Sequence, residues 1–258
     1  RDVERSRGLG DVYKRQVPEI QMELFRKVLA VNPNVVVVLF NGRPLDLREI
    51  SAKAKAILEV WFPGTEGGSA VVDVLTGKKN PSGKLPMSFP YCVGQAPISY
   101  NEYSTGRPHV PGKDKDRFRS KYLDIPNAPL FPFGYGLSYT TFTYGAATFS
   151  KQTVGSEDNL SLVVPVSNTG SRDGEEVVQV YLSKVGDEAG PVKTLRAFKR
   201  VSVPAGKTVN VHITLSKKDL EWWNEGTHSI QFCPGEYQVW IGGSSDEKAL
   251  SKYAIQLK

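Results

Sequence analysis

The sequence predicts an α/β unit followed by an all-β unit: a partial α/β sandwich with a mostly parallel sheet, then an antiparallel β-sandwich. Three observations lead there. Val35–Phe40 is a run of six apolar residues whose first four are valines, a pattern that needs burial on both faces, as in a central parallel strand. Beyond about Tyr144 the chain becomes a series of short strands cut by Gly-, Pro- and Asn-rich turns, several of them alternating in period two. Between the two lies a stretch ending at Tyr139, rich in Pro, Gly and aromatic residues, whose composition is that of an ordered connector rather than a linker.

Taken in order, Val17–Val31 places Ile20, Leu24, Val28 and Leu29 near a 3.6-residue repeat and predicts an amphipathic helix, broken by Asn32-Pro33-Asn34. The strand 35–40 follows and ends in Asn41-Gly42-Arg43-Pro44. Ile50–Ala56 predicts a short helix and Ala56–Phe62 the next strand. Thr65 is the expected N-cap of a helix through Ala70, Val71, Val74 and Leu75, closed by Gly77. Lys84–Phe89 predicts a third short strand. Helices alternating with strands imply parallel pairing through crossovers. In the second unit, strands are expected at Leu160–Val166, Val177–Leu182, Leu195–Val203, Val209–Leu215 and Gly235–Ile241, within a sandwich of about seven. Lys217–Trp223 is the one further stretch there with a helix-like apolar period.

Length and composition bound the function. A chain of 258 residues exceeds one ordinary core, and 40% hydrophobic with 23% charged residues fits a soluble globular protein. No apolar run approaches the roughly 20 residues of a membrane span. The net charge of +6 is spread among acids, so nucleic acid is not an expected partner. Cys92 and Cys233 stand far apart without CxxC spacing, which gives no zinc site and no disulfide scaffold. Residues 1–16 lack periodicity and an apolar centre; they read as a foreign segment rather than a secretory signal, and the chain as a fragment.

Several segments, in order, resemble the C-terminal half of family 3 glycoside hydrolases. They are Asn41-Gly42-Arg43-Pro44-Leu45, Trp61-Phe62-Pro63-Gly64-Thr65-Glu66-Gly67-Gly68, Asn80-Pro81-Ser82-Gly83-Lys84-Leu85-Pro86 and Phe133-Gly134-Tyr135-Gly136-Leu137-Ser138-Tyr139. Asn168-Thr169-Gly170 through Val177–Leu182, then Lys193–Phe198 and Pro204-Ala205-Gly206, resemble that family's fibronectin type III-like domain. The pattern is most similar to bacterial periplasmic β-glucosidases. It implies a partial family C-terminal α/β domain over 17–100, an extended loop and connector over 101–139, and the fibronectin type III-like sandwich over 140–258.

The resemblance implies a C-terminal fragment of a retaining, exo-acting β-glucosidase that hydrolyses terminal β-D-glucosyl residues, inactive by itself, with a periplasmic or extracellular parent. Its partners would be β-linked glucosides or oligosaccharides and an N-terminal barrel domain outside this chain; a homodimer is one candidate assembly, and no cofactor is implied. The alternatives are a non-catalytic carbohydrate-binding or scaffolding module, or a family 3 enzyme of other specificity such as a β-xylosidase. Retaining hydrolysis uses a carboxylate nucleophile and a carboxylic acid about 5–5.5 Å apart. The family's nucleophilic Asp belongs to the barrel. Its acid/base Glu stands in a Gly-Glu or Ser-Gly-Glu stretch just before the helix that starts here at Val17, where Glu4 has no matching neighbours. No catalytic, substrate-binding or metal residue is therefore assigned.

Some residues still invite a role. Glu66 opens a helix, where a carboxylate more simply accepts backbone N–H bonds and favours the helix dipole. Arg43 follows the carboxyl end of a strand, a ligand position in α/β sheets, though an interdomain ion pair suits it equally. Trp222, Trp223, Tyr237 and Trp240 could stack on sugars, but alternating aromatics in a sandwich favour the core. His109, His212 and His228 are distant from one another and suggest neither a metal site nor a catalytic relay. Asn101–Asn127, carrying Arg107, Lys113, Lys115, Arg117, Arg119 and Lys121, is either a solvated loop or part of a sugar-site rim in the parent.

Overall fold

The structure, a computed structural model, describes residues 15–110, 112 and 116–258. The expected foreign segment falls almost wholly on residues 1–14, outside the described residues, as do Glu4, Lys113 and Lys115. The chain forms two compact units. One holds the chain up to Lys78 with Met87–Ile98 and Leu123–Phe131; the other holds Lys79–Pro86, Ser99–Tyr122 and Pro132–Lys258.

The first unit contains helix α1 (Glu19–Val31), strand β1 (Val36–Leu39), helix α2 (Arg48–Lys53), strand β2 (Ala56–Glu59) and helix α3 (Gly67–Leu75). β1 and β2 pair in parallel from Val36↔Ala56 to Leu39↔Glu59. Among the described residues this two-stranded pair is all there is of the expected mostly parallel sheet. The third strand is not formed. Phe89 instead makes an isolated antiparallel bridge to Phe131, with N–H bonds of 2.8 Å from Phe89 to Phe131 and 2.9 Å from Leu130 to Phe89. With one strand beside it, β1 is not buried on both faces: Val36 is exposed and only Leu39 is buried.

The helical period of α1 is real, but the face differs from the expected one. Met22 and Phe25 are buried, whereas Ile20, Leu24 and Val28 are exposed. A helix with apolar residues on both sides gives no sequence signal as to which side meets the core. Helix α3 begins one residue later than expected, with Glu66 rather than Thr65 at the N-cap, and ends as expected before Gly77, whose φ is +74°.

The second unit is built of strands: β3 (Phe142–Tyr144), β4 (Thr148–Phe149), β5 (Thr153–Val154), β6 (Leu160–Asn168), β7 (Gly174–Lys184), β8 (Thr194–Val203), β9 (Thr208–Leu215), β10 (Glu221–Asn224), β11 (Ser229–Phe232), β12 (Gly235–Gly242) and β13 (Ser251–Leu257). One sheet runs β5-β13-β12-β7-β8. In the other, β6 pairs with β3, β4 and β9. β10 and β11 form a separate hairpin. The five expected strands are present; β3, β4, β5, β10 and β11 are too short to show a period, and β13, although Tyr253, Ile255 and Leu257 alternate along it, is not among the expected strands. Lys217–Leu220 is a 3-10 turn capped by Ser216 and Asp219, and the helix-like period there ends in strand β10.

Alternation drives the sandwich. Leu160, Leu162, Val164 and Val166 of β6, Val211, Ile213 and Leu215 of β9, and Val178 and Val180 of β7 are all buried in one core. Each such side chain contributes about 1.5–3 kcal/mol on burial. β7 is buried on both faces, because Tyr181 points away from that core into a second cluster with Trp240 and Leu250. Tyr100 and Phe133, stacked at 4.2 Å, cover this outer cluster. The motif residues of the connector are thus packing elements of the second unit. Asn80 Oδ1 accepts bonds of 2.8 Å from Ser138 Oγ and Tyr139 N, and its Nδ2 donates to Asp173 O at 2.9 Å. Gly134 has φ +77° and lies directly against the Gln179 amide, leaving no room for a side chain.

Candidate functional site at the carboxyl edge of the parallel strands

β1 and β2 run in the same direction, so their carboxyl ends open on one edge of the first unit, where open α/β sheets bind ligands. Asn41, Gly42 and Arg43 follow β1; Glu59 closes β2 and leads into Trp61 and Phe62. Glu59, which strand-reading alone treats as an ordinary strand residue, organises the edge. Its Oε2 accepts from Asn41 Nδ2 at 3.0 Å and its Oε1 from the Trp61 backbone N at 3.0 Å. Asn41 in turn accepts the Arg43 N–H through Oδ1 at 3.2 Å. The carboxylate therefore ties together the two loops that leave the parallel strands.

The second of those loops is conformationally costly. Trp61 is not glycine, yet its φ is +51°, a left-handed conformation that costs on the order of 1–3 kcal/mol and persists only where its surroundings fix it. The Glu59 bond to its N–H and the ring contact with Phe89, 5.8 Å between centroids, do so. Phe89 is buried and meets Phe131 edge-on at 6.3 Å. The next ring, Phe62, is 80% exposed and lies over Gly42, where a Cβ would stand 2.6 Å from the ring edge. The edge thus presents an outward phenyl ring, a half-buried indole, a half-buried arginine and an oriented carboxylate.

Burial is the main influence on Glu59 and pushes its carboxyl above the usual glutamate range, against the lowering by the Trp61 and Asn41 hydrogen bonds. A carboxyl whose folded pKa is raised contributes stability that is present below the unfolded value, about 4.3, and lost as pH rises through the folded value. Protection of the Val36–Leu39 amides, corrected for intrinsic exchange, should therefore fall as pH rises from the unfolded glutamate pKa toward neutrality. Glu59→Gln should flatten that slope. Equal slopes in the two proteins would show that Glu59 does not titrate there.

The other expected positions fall elsewhere. Glu66 caps α3, but its carboxylate makes no backbone capping bond; Oε2 accepts from Ser69 Oγ at 3.2 Å. Trp222, Tyr237 and Trp240 are buried, Trp222 and Tyr237 in the main core and Trp240 in the outer cluster. Trp223 is 44% exposed and belongs to neither. His212 lies on β9 and His228 in the β10–β11 turn, and among the described residues no group of His, Cys, Asp and Glu could hold a metal ion. In the basic loop, Arg107 stacks on Phe118 at 5.9 Å, and Arg119 bonds Asp116 at 2.9 Å and Pro108 O at 3.0 Å.

Residues 3–139 match the glycosyl hydrolase family 3 C-terminal domain. The chain belongs to that family. Residues 176–245 match the fibronectin type III-like domain. The chain is 44% identical over 230 residues to the periplasmic beta-glucosidase of Salmonella typhimurium, covering 89% of this chain and 30% of that protein. It is 38% identical over 257 residues to the xylan 1,4-beta-xylosidase of Xylanibacter ruminicola, covering 99% of this chain and 28% of that one. Among solved structures, the beta-glucosidase from Listeria innocua in complex with glucose superposes with a TM-score of 0.89 at 38% identity, covering 96% of this chain and 34% of the other. This family 3 chain thus spans about a third or less of the length of these relatives. No helix among its described residues is long and apolar enough to cross a membrane.

Proposed function

We propose that this chain serves as the C-terminal part of a retaining β-glucosidase that removes terminal β-D-glucosyl residues, with both catalytic carboxylates contributed by residues outside it. The observation that carries this reading is the 44% identity to the Salmonella typhimurium periplasmic beta-glucosidase, higher than the 38% to the xylosidase. The Salmonella relative's name also supports a periplasmic or extracellular location. In this reading the partner of the first unit is an N-terminal barrel, and the β1–β2 edge, with Phe62, Trp61 and Arg43, supplies part of the wall around the sugar. A role as the wall rather than the reacting centre suits Glu59, since each of its oxygens already holds a loop.

The test is a chimera in which Val17–Lys258 replaces the matching part of the Salmonella enzyme. Hydrolysis of an aryl β-glucoside should be retained to within about tenfold in kcat/KM, a difference of about 1.4 kcal/mol in barrier. A soluble, folded chimera that hydrolyses only the aryl β-xyloside would move the reading to a β-xylosidase. One that hydrolyses neither would favour a binding or scaffolding module.

A further inference from the structure

We propose that the β10–β11 hairpin carries an accessory sugar-binding site centred on Trp223, whose ring takes the apolar face of a pyranose in a β-linked oligosaccharide. The two neighbouring tryptophans must point to opposite faces of strand β10, because side chains alternate along a strand. Trp222 takes the inner face. It is 2% exposed, packs edge-on against Tyr237 at 5.8 Å, donates from Nε1 to Asp187 Oδ2 at 2.6 Å, and lies under the Arg196 guanidinium at 5.1 Å. That anchor fixes the hairpin and leaves Trp223 outward.

The outward face is built in a particular way. Trp223 is 44% exposed, and its Nε1–H donates to Glu225 Oε1 at 3.0 Å, which orients the indole. Its cross-strand partner Ile230 is 67% exposed and widens the apolar surface. The turn beside it is ordered: Asn224 Oδ1 accepts from Gly226 N at 2.9 Å and from Thr227 N at 3.2 Å, and Thr227 Oγ1 and Ser229 Oγ share a bond of 2.9 Å. His228, held at φ +49°, brings its imidazole to 6.3 Å from the indole with the rings tilted by 58°. The surface is thus one flat indole rimmed by the Glu225 carboxylate and the His228 imidazole. A β-linked pyranose matches it, with C–H groups on its face for the indole and equatorial hydroxyls at its edge for the rim. A protein partner would need roughly 1,000 Å² with a large apolar centre, which the tip of a two-stranded hairpin flanked by polar side chains does not offer. The β-linked class of sugar rests on the function proposed above; the platform itself does not.

Titration of the whole chain with β-linked glucose and β-linked xylose tetrasaccharides, by calorimetry and tryptophan fluorescence, tests this. Saturable binding of the glucose oligomer is expected. Trp223→Ala should weaken it by about tenfold or more, while Trp223→Phe keeps most of it. Because Trp223 is outside the core, both variants should keep the parent unfolding midpoint. If Trp223→Ala does not fold, Ile230→Ser still decides, since it should lower affinity in a folded chain. Binding of the xylose oligomer alone, lost with Trp223, would uphold the platform while counting against the glucosidase reading. Absence of saturable binding, or binding by Trp223→Ala or Ile230→Ser equal to that of the parent, overturns the proposal. So does self-association of the parent that Trp223→Ala abolishes, which would assign the ring to a second copy of the chain.

Discussion

Purified on its own, the chain is expected to release no aglycone from a chromogenic aryl β-glucoside, and Glu66→Gln and Glu59→Gln should leave that baseline unchanged. Retaining hydrolysis needs a nucleophilic carboxylate and an acid about 5–5.5 Å apart across the scissile bond. Two carboxylates near the β1–β2 edge in sequence, Glu59 and Glu66, are both engaged in shape. Glu59 holds Asn41 and the Trp61 N–H, and Glu66 accepts the Ser69 hydroxyl. With the nucleophile outside this chain, as proposed above, the covalent step is lost, so the loss relative to an intact enzyme should be at least about a millionfold, the low end of enzymatic acceleration. Turnover that disappears in Glu66→Gln would place acid chemistry at the start of α3 and overturn this assignment.

What the sequence disclosed and what it withheld have separate physical causes. The long strands of the sandwich were legible because one buried face imposes period two, as in Val209, Val211, Ile213 and Leu215 of β9. Two-residue strands such as β4 and β5 carry no period and were not. In the first unit, local pattern gave helices and strands near their observed places but overestimated the sheet. A valine run states that burial is needed, not that covering strands are among the described residues. Lys84–Phe89 has the composition of a strand, yet Phe89 meets Phe131 alone in a single bridge. At the candidate site, Arg43 was legible from its place after a strand. Glu59 was not, because a carboxylate that ends a strand looks like any solvated residue until its two acceptor bonds are seen. The four sandwich aromatics read as one group separate by strand parity, which puts Trp222 inside and Trp223 outside.

Breaking the Lys84–Glu176 pair should cost the second unit about 3–5 kcal/mol, the usual consequence of leaving one buried charge unpaired. Lys84 lies in the Asn80–Pro86 motif and its Nζ stands 3.0 Å from Glu176 Oε1 and 3.0 Å from Gly136 O. Both side chains are largely removed from water, with 15% and 8% exposed. Glu176 Oε1 also accepts from the adjacent Val177 N–H at 2.8 Å, and the Tyr144 hydroxyl faces the carboxylate. In Lys84→Ala the desolvated carboxylate loses its counter-charge, and the denaturant midpoint should fall with the slope unchanged. Removing both charges should act differently. Lys84→Met with Glu176→Gln deletes the Coulomb attraction and the desolvation cost together, and such replacements are often close to neutral. The double variant should therefore recover more than half of the loss, a coupling that a double-mutant cycle measures directly. The same pair bears on where the sandwich begins. A piece starting at Tyr139 lacks Lys84 and Asn80, so it begins with Glu176 unpaired, and it should unfold at lower denaturant than one that retains Lys79–Pro86. Equal midpoints for those two pieces, or a Lys84→Ala loss below about 1 kcal/mol, the range of an exposed pair, would mean that Glu176 is solvated in its own right and that the connector contributes packing alone.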